Sequence, residues 1–166
     1  MSTTISSFST FVGADDGDAY RIIGERLTFK ITSAVTDNTF SMMVLEPAPN
    51  GGPPVHTHPS DEIFYVLEGQ FKFLVVEDGE LQETLAGPGD SMHIPGDLPH
   101  AYQAVGDGPH KTVLFFTPGS DMEQFFSQVG TPASEPETPT DFNKLLSVAA
   151  TLDWTFPPEF LPGSVK

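Results

Sequence analysis

The stretch Pro53-Pro54-Val55-His56-Thr57-His58-Pro59-Ser60-Asp61-Glu62-Ile63-Phe64-Tyr65-Val66-Leu67-Glu68-Gly69 decides how this chain is read. His56 and His58 are two residues apart. Side chains of an extended strand alternate between faces, so both imidazoles point the same way. The short Pro59-Ser60-Asp61 break bends the chain back and brings Glu62 towards them. The residues after Glu62 are β-branched, aromatic or apolar, the composition of a buried strand. Two imidazoles and a carboxylate converging among apolar side chains call for a divalent cation, because neutral His and ionised Glu are ordinary ligands for one. A fourth candidate, His100, ends the run Pro95-Gly96-Asp97-Leu98-Pro99-His100.

Outward from this stretch, short extended segments alternate with turn signals. Upstream, Tyr20 to Ile31 alternates as strands do, with Leu27, Phe29 and Ile31 on one face. Asp37-Asn38 is a turn, and Phe40 to Leu45 forms a second strand with Phe40, Met42 and Val44 on one side. Asn50-Gly51-Gly52-Pro53-Pro54 ends that hairpin. Downstream, Phe71 to Val76 and Glu80 to Leu85 flank the tight turn Asp78-Gly79. Ser91 to Pro95, Tyr102 to Val105 and Lys111 to Thr117 follow. Strands this short at such close turn spacing predict an all-β antiparallel sandwich or barrel.

The composition changes after Pro118. Ser120 is placed to cap a helix from Asp121 to Val129, and Thr140 or Asp141 a second one over residues 142–150. The tail Leu152-Asp153-Trp154-Thr155-Phe156-Pro157-Pro158 is too aromatic to float free and is expected to dock on the barrel. The predicted organisation is an N-terminal arm over 1–19, a barrel over 20–118, and a helical segment and tail over 119–166 that packs on it.

Composition excludes several functions. The chain has 166 residues, the length of one domain with a single core. Its net charge of -16 repels phosphates, which argues against nucleic acid and anionic membranes as partners. It contains no Cys, so disulfides, thiolate zinc sites and Cys nucleophiles are ruled out. The start Met1-Ser2-Thr3-Thr4-Ile5 lacks the features of a secretory signal, and the expected location is cytoplasmic.

His56-x-His58-x3-Glu62, followed by Gly69, resembles the first cupin motif. Gly89, Pro95 and His100 stand at the spacings of the second. The resemblance covers residues 40–117. It departs from the family pattern at Asn50, Asp97 and Ala104, positions that shape turns and packing. The resemblance implies a cupin-type antiparallel β-barrel (jelly roll) with His56, His58, Glu62 and His100 as metal ligands. Within cupins, the run Asp61 to Gly69, the single barrel and the helix Asp121-Met122-Glu123-Gln124-Phe125-Phe126 are most similar to bacterial quercetin 2,3-dioxygenase-like proteins. That implies a flavonol opened by O2 to a depside and carbon monoxide.

Each candidate also has a plainer reading. His56 and His58 alone could be edge-strand histidines, Glu62 a solvated carboxylate and His100 a loop residue; their joint spacing favours the metal. Glu68 is expected in a turn, Asp97 in a loop-stabilising role, His93 as a satisfied core or wall residue, and His110 as solvated. Core packing is the expected role for most of Phe64, Phe73, Met92, Phe115 and Trp154, with cavity lining as the other reading. A set of three imidazoles and one carboxylate leaves open positions on Ni, Mn, Fe or Co. The first functional reading is therefore a metal-dependent dioxygenase that opens a flavonol or similar enol or phenol ring, with Glu62 as general base. The alternatives are a metal-dependent isomerase, decarboxylase or cyclase, and a non-catalytic small-molecule-binding cupin. A homodimer is expected from the resemblance and from the apolar arm and tail.

Overall fold

A computed structural model describes residues 8–160. Among the described residues there are ten strands: β1 Ala19–Ile22, β2 Glu25–Ile31, β3 Ser41–Pro47, β4 Asp61–Glu68, β5 Gln70–Glu77, β6 Glu80–Ala86, β7 Ser91–Ile94, β8 His100–Val105, β9 Lys111–Thr117 and β10 Thr131–Pro132. Two helices follow the barrel strands, α1 Ser120–Val129 and α2 Phe142–Thr151. The strands form two antiparallel sheets, one in the order β10-β1-β2-β3-β9-β4-β7 and one in the order β6-β5-β8.

The core lies between the sheets, and strand periodicity dictates what fills it. Alternate residues Glu62, Phe64 and Val66 of β4 are buried, as are Phe71, Phe73 and Val75 of β5. The Phe64 ring meets Phe73 at 4.8 Å and Tyr102 at 5.3 Å, both edge-on, which stitches the large sheet to the small one. Leu27 and Phe29 of β2 face the same core. Ile31 does not hold that face, because a register shift between Phe29 and Ile31 leaves it half-buried. On β3 the fully buried set is Ser41, Met43 and Leu45, so Phe40, Met42 and Val44 form the outer, half-buried side.

Two helix starts illustrate different capping. Asp141 caps α2 by accepting from the backbone N–H groups of Asn143 and Lys144. Ser120 does not cap α1; the N-cap is Gly119, without a side-chain bond. The Ser120 N–H instead reaches Asn38 Oδ1 at 2.9 Å, so the Asp37-Asn38 turn supplies the acceptor.

The tail folds back over the barrel. Thr57 and Thr155 exchange backbone hydrogen bonds of 2.9 and 3.1 Å, adding the tail as a bridge beside the His56–His58 segment. Trp154 is buried and stacks on Phe125 of α1 at 4.1 Å. At the other end of the described chain, Phe8 and Phe11 are exposed. Lys30 Nζ holds the arm through the carbonyls of Gly13, Ala14 and Asp16. The remainder of the expected arm, residues 1–7, and of the tail, 161–166, lies outside the described residues. No helix among the described residues is long and apolar enough to cross a membrane.

Candidate metal centre

The backbone assembles the four predicted residues from three segments. His56 and His100 exchange backbone hydrogen bonds of 2.9 and 3.0 Å, which places the start of β8 beside the histidine segment. The bend at Pro59-Ser60 is held by two partners: Ser60 Oγ donates to Pro118 O at 2.8 Å, and Asp97 N–H donates to His58 O at 2.8 Å. Gly96 is required in that contact, since a Cβ on it would stand 2.1 Å from the Pro59 carbonyl. The β7–β8 loop thus clamps the bend that turns Glu62 inward. Gly69, at φ +77°, has the same kind of role: a Cβ there would meet the His110 ring at 2.5 Å.

All four side chains are buried. Ligand atoms of His56, His58 and His100 lie within 4.8 Å of one another. Glu62 Oε2 is 2.9 Å from His100 Nε2 and 3.3 Å from His58 Nε2. The outer ring nitrogens determine the tautomer. Nδ1 of His56 lies 2.9 Å from Pro54 O, that of His58 2.9 Å from Ser60 O, and that of His100 2.7 Å from Leu98 O. A carbonyl oxygen only accepts, so each Nδ1 carries the proton and, in the neutral ring, each Nε2 presents a lone pair. Nε2 of His58 and of His100 faces the Glu62 carboxylate, a contact that needs either a proton on that nitrogen or a cation between the two groups. The donor set fits a divalent metal, with Nδ1 bonds of the kind that orient metal-binding imidazoles.

The electrostatics agree with this reading. Burial, with the neighbouring His100 and His58 adding to it, lowers the His56 pKa to about 3. Burial alone would raise Glu62, but hydrogen bonds from His100 and His58 outweigh it and bring the carboxyl to about 2. For His100, burial works against protonation, yet its bond to Glu62 carries the pKa upward. The pocket therefore keeps a carboxylate ionised and favours positive charge beside it.

Two expectations about other histidines are corrected. His93 is not a core or wall residue; it is exposed on β7 and pairs with Asp61 Oδ2 at 3.0 Å. Edge strand β7 has one neighbour, β4, and its odd face looks outward. The His93 bond is the largest cause of a lowered Asp61 pKa, with the Gly96 N–H second. His110 is not solvated; it is buried, its Nε2 2.9 Å from Val105 O and its ring edge-on to Phe71 at 5.7 Å. Gly69 gives it the room. Glu68 is exposed, but it ends β4 opposite Lys111 rather than standing in the turn, which begins at Gly69. Phe64 and Phe73 are core; Trp154 alone of the five weighed residues lines the cavity at the histidines.

That cavity has a volume of about 40 Å³. It is bounded by His56, His58 and Glu62, by apolar side chains such as Phe116 and Met122, and by Trp154 and Phe156 of the tail. Ile23, Pro53, Leu145 and Phe156 separate it from an open apolar groove of about 600 Å³. It also contains a pair that the motif reading passed over. Glu25, fully buried on β2, accepts from Tyr102 Oη at 2.8 Å. Burial raises the Glu25 pKa to about 8, against the lowering effect of the Tyr102 bond. Tyr102, buried beside two carboxyls, is pushed well above its ordinary value.

Residues 43–116 match the model of the cupin domain family. That match lies within the barrel and covers less than half of the chain. Over 93 residues, 54% of this chain and 42% of the relative, this chain is 36% identical to "Dimethylsulfoniopropionate lyase DddQ" of Ruegeria pomeroyi. It is 34% identical over 61 residues to 3-hydroxyanthranilate 3,4-dioxygenase of Scheffersomyces stipitis, covering 37% of this chain and 35% of that protein. It is 32% identical over 62 residues to acireductone dioxygenase of Rhodopseudomonas palustris, covering 37% and 38%. The chain thus spans less than half the length of the curated relatives it matches. Among solved structures, the chain resembles oxalate decarboxylase of Bacillus subtilis with TM-score 0.60 and 21% identity, covering 69% of this chain and 31% of that one. An RmlC-like cupin from Shewanella frigidimarina gives TM-score 0.57 and 18% identity over 70% and 96% of the two chains. These likenesses establish the cupin fold of the barrel.

Proposed function

We propose that this chain is a cupin and a metal-dependent dioxygenase acting on a small enol or phenol, with His56, His58, Glu62 and His100 holding one divalent cation (Ni, Mn, Fe or Co). The observation that carries the proposal is the convergence of ligand atoms of three buried histidines within 4.8 Å of one another, with Glu62 Oε2 against two of them and each ring bonded to a backbone carbonyl at its Nδ1. The dioxygenases among the relatives support the oxygen-dependent reading.

A bound cation would supply Lewis-acid polarisation of a substrate oxygen and open positions for further ligands. The chain's own residues supply the rest. The imidazoles, fixed by Pro54, Ser60 and Leu98, keep their donor atoms in place as substrate enters. Glu62 Oε2, the carboxylate oxygen that among the described residues lies against these rings, is the acceptor for the proton released by a substrate hydroxyl. Trp154, Phe156 and Phe116 exclude water and present aromatic faces to a flat substrate.

The resemblance to quercetin 2,3-dioxygenases refines this to flavonol cleavage. Pockets for drug-sized ligands are about 300–1,000 Å³, so a flavonol requires the Trp154–Phe156 tail to swing outward and join the 40 Å³ cavity to the groove. Metal-loaded protein incubated with quercetin in air and under argon tests the refinement; flavonol absorbance that stays unchanged in air rejects that substrate. Oxygen uptake with smaller enols and diketones would still support the broader proposal.

A second reading drops oxygen: a metal-dependent lyase or decarboxylase. It is favoured by Glu25 and Tyr102, a second buried acid pair beside the histidines, and by the lyase among the relatives. Turnover without oxygen uptake on an oxygen electrode would select it.

A further inference from the structure

Glu25 stands where an apolar residue would serve the fold better. It shares the inward face of β2 with Leu27 and Phe29 and is 5% exposed. Tyr102 satisfies only one of its oxygens; the other, Oε1, is buried without any partner. No salt bridge among the described residues reaches it. Buried polar atoms are almost always hydrogen-bonded, so an orphan of this kind needs an explanation. The explanation is local, because Glu25 lines the cavity that also contains His56, His58 and Glu62. A second orphan lies in the same wall: Trp154, another lining residue, has an indole N–H with no partner. Of four such orphaned side-chain atoms among the described residues, two belong to this one small cavity.

We propose that Glu25 is a substrate-binding residue, its free oxygen bonding a hydroxyl that the substrate carries in addition to the oxygen bound at the histidine cluster. The proposal rests on the metal-centre reading and narrows its substrate class to small bifunctional oxygen compounds: a carboxylate or enolate for the cation and a separate hydroxyl for Glu25. Tyr102 acts as a positioning residue. Its hydroxyl holds Oε2 and leaves Oε1 as the oxygen without a partner in the wall of the cavity. A carboxyl that stays neutral near pH 7, as burial makes this one, both donates to and accepts from a hydroxyl, and it does not repel an anionic substrate as an ionised one would.

The test uses the full chain loaded with Co2+, whose visible bands report oxygen ligands entering at the metal. Glycolate, 3-hydroxypropanoate and 4-hydroxybutanoate are titrated against acetate, propanoate and butanoate. The expected result is one hydroxy acid binding about tenfold tighter than its parent, as a buried hydrogen bond to a carboxyl permits. That preference should vanish in Glu25→Leu and fall in Tyr102→Phe, with the parent acid binding as before. Glu25→Gln, which keeps the shape and the Tyr102 bond, should retain part of it and covers the case in which Glu25→Leu does not fold. A preference unchanged in Glu25→Gln and Glu25→Leu, or no preference in any pair while the parent acids still shift the Co2+ bands, overturns the role of Glu25 and leaves it bonded to an ordered water; the metal-centre reading survives. Absence of Co2+ bands in the unmodified protein overturns both.

Discussion

Glu62 is ionised in a place where burial alone would keep it protonated, and the two histidine bonds explain why. Its replacement therefore separates charge from shape. Glu62→Gln is expected to weaken divalent-metal affinity by more than the about 10–100-fold that changes in supporting groups cost, read by competition with a chelator. Glu25 gives the opposite electrostatic case. Its folded pKa of about 8 exceeds its ordinary value of 4.5, so the folded state binds the proton more tightly than the unfolded state. The associated stability is fully present below pH 4.5 and is lost as pH rises towards 8. Glu25→Gln should remove this slope, on the order of a few kcal/mol across the window, in denaturant titrations at successive pH values; an unchanged slope would contradict the assignment. At this scale the sequence was legible wherever period-two spacing could be combined with residue chemistry. His56, His58 and Glu62 follow from it; Glu25, two before Leu27, and Tyr102, two after His100, share the same period but stand outside both motifs, so nothing local marks them as a pair. His93 and His110 were not legible, because exposure there depends on which strand is an edge and on the close approach of the His110 ring that Gly69 permits.

Among the elements, the tail after α2 carries more of the site than its position in the chain implies. Trp154 stacks on Phe125 at 4.1 Å and its ring lies 5.0 Å from that of His58. Trp154→Ala should cost about 3–5 kcal/mol, measured by urea denaturation, and should widen the cavity enough to raise affinity for bulkier metal-binding oxygen ligands. A variant as stable as the parent would show that the tail does not hold the barrel mouth. The aromatic content of Leu152 to Phe156 announced docking, but not the partner. That depends on the Thr57–Thr155 bridge, a contact across 98 residues that no local pattern encodes. The start of α1 was misread for a related reason. Ser120 is a good cap by residue type, yet Asn38 from a distant turn had already supplied the acceptor.

For the molecule as a whole, turn spacing announced an antiparallel barrel because Asp78-Gly79 and Gly87-Pro88-Gly89 cut the chain into strands too short for any other class. The order of strands within the two sheets was not legible, since β3 pairs with β9 and β4 lies between β9 and β7, all through non-local partners. Exposed Phe8 and Phe11 keep the homodimer expectation alive as a prediction: a sedimentation mass near twice 17.9 kDa, reduced to one chain by Phe8→Ser with Phe11→Ser. A single-chain mass for the unmodified protein would reject it. The central claim concerns the whole fold, because it brings His56, His58, Glu62 and His100 together across both sheets. X-ray absorption spectroscopy on protein purified without added metal, paired with elemental analysis, tests it most directly. The account predicts one divalent ion per chain with imidazole nitrogens at about 2.0–2.2 Å, lost together in His56→Ala and His100→Ala; a metal-free protein that takes up no ion on addition, or an ion bound by oxygen ligands alone, would contradict it.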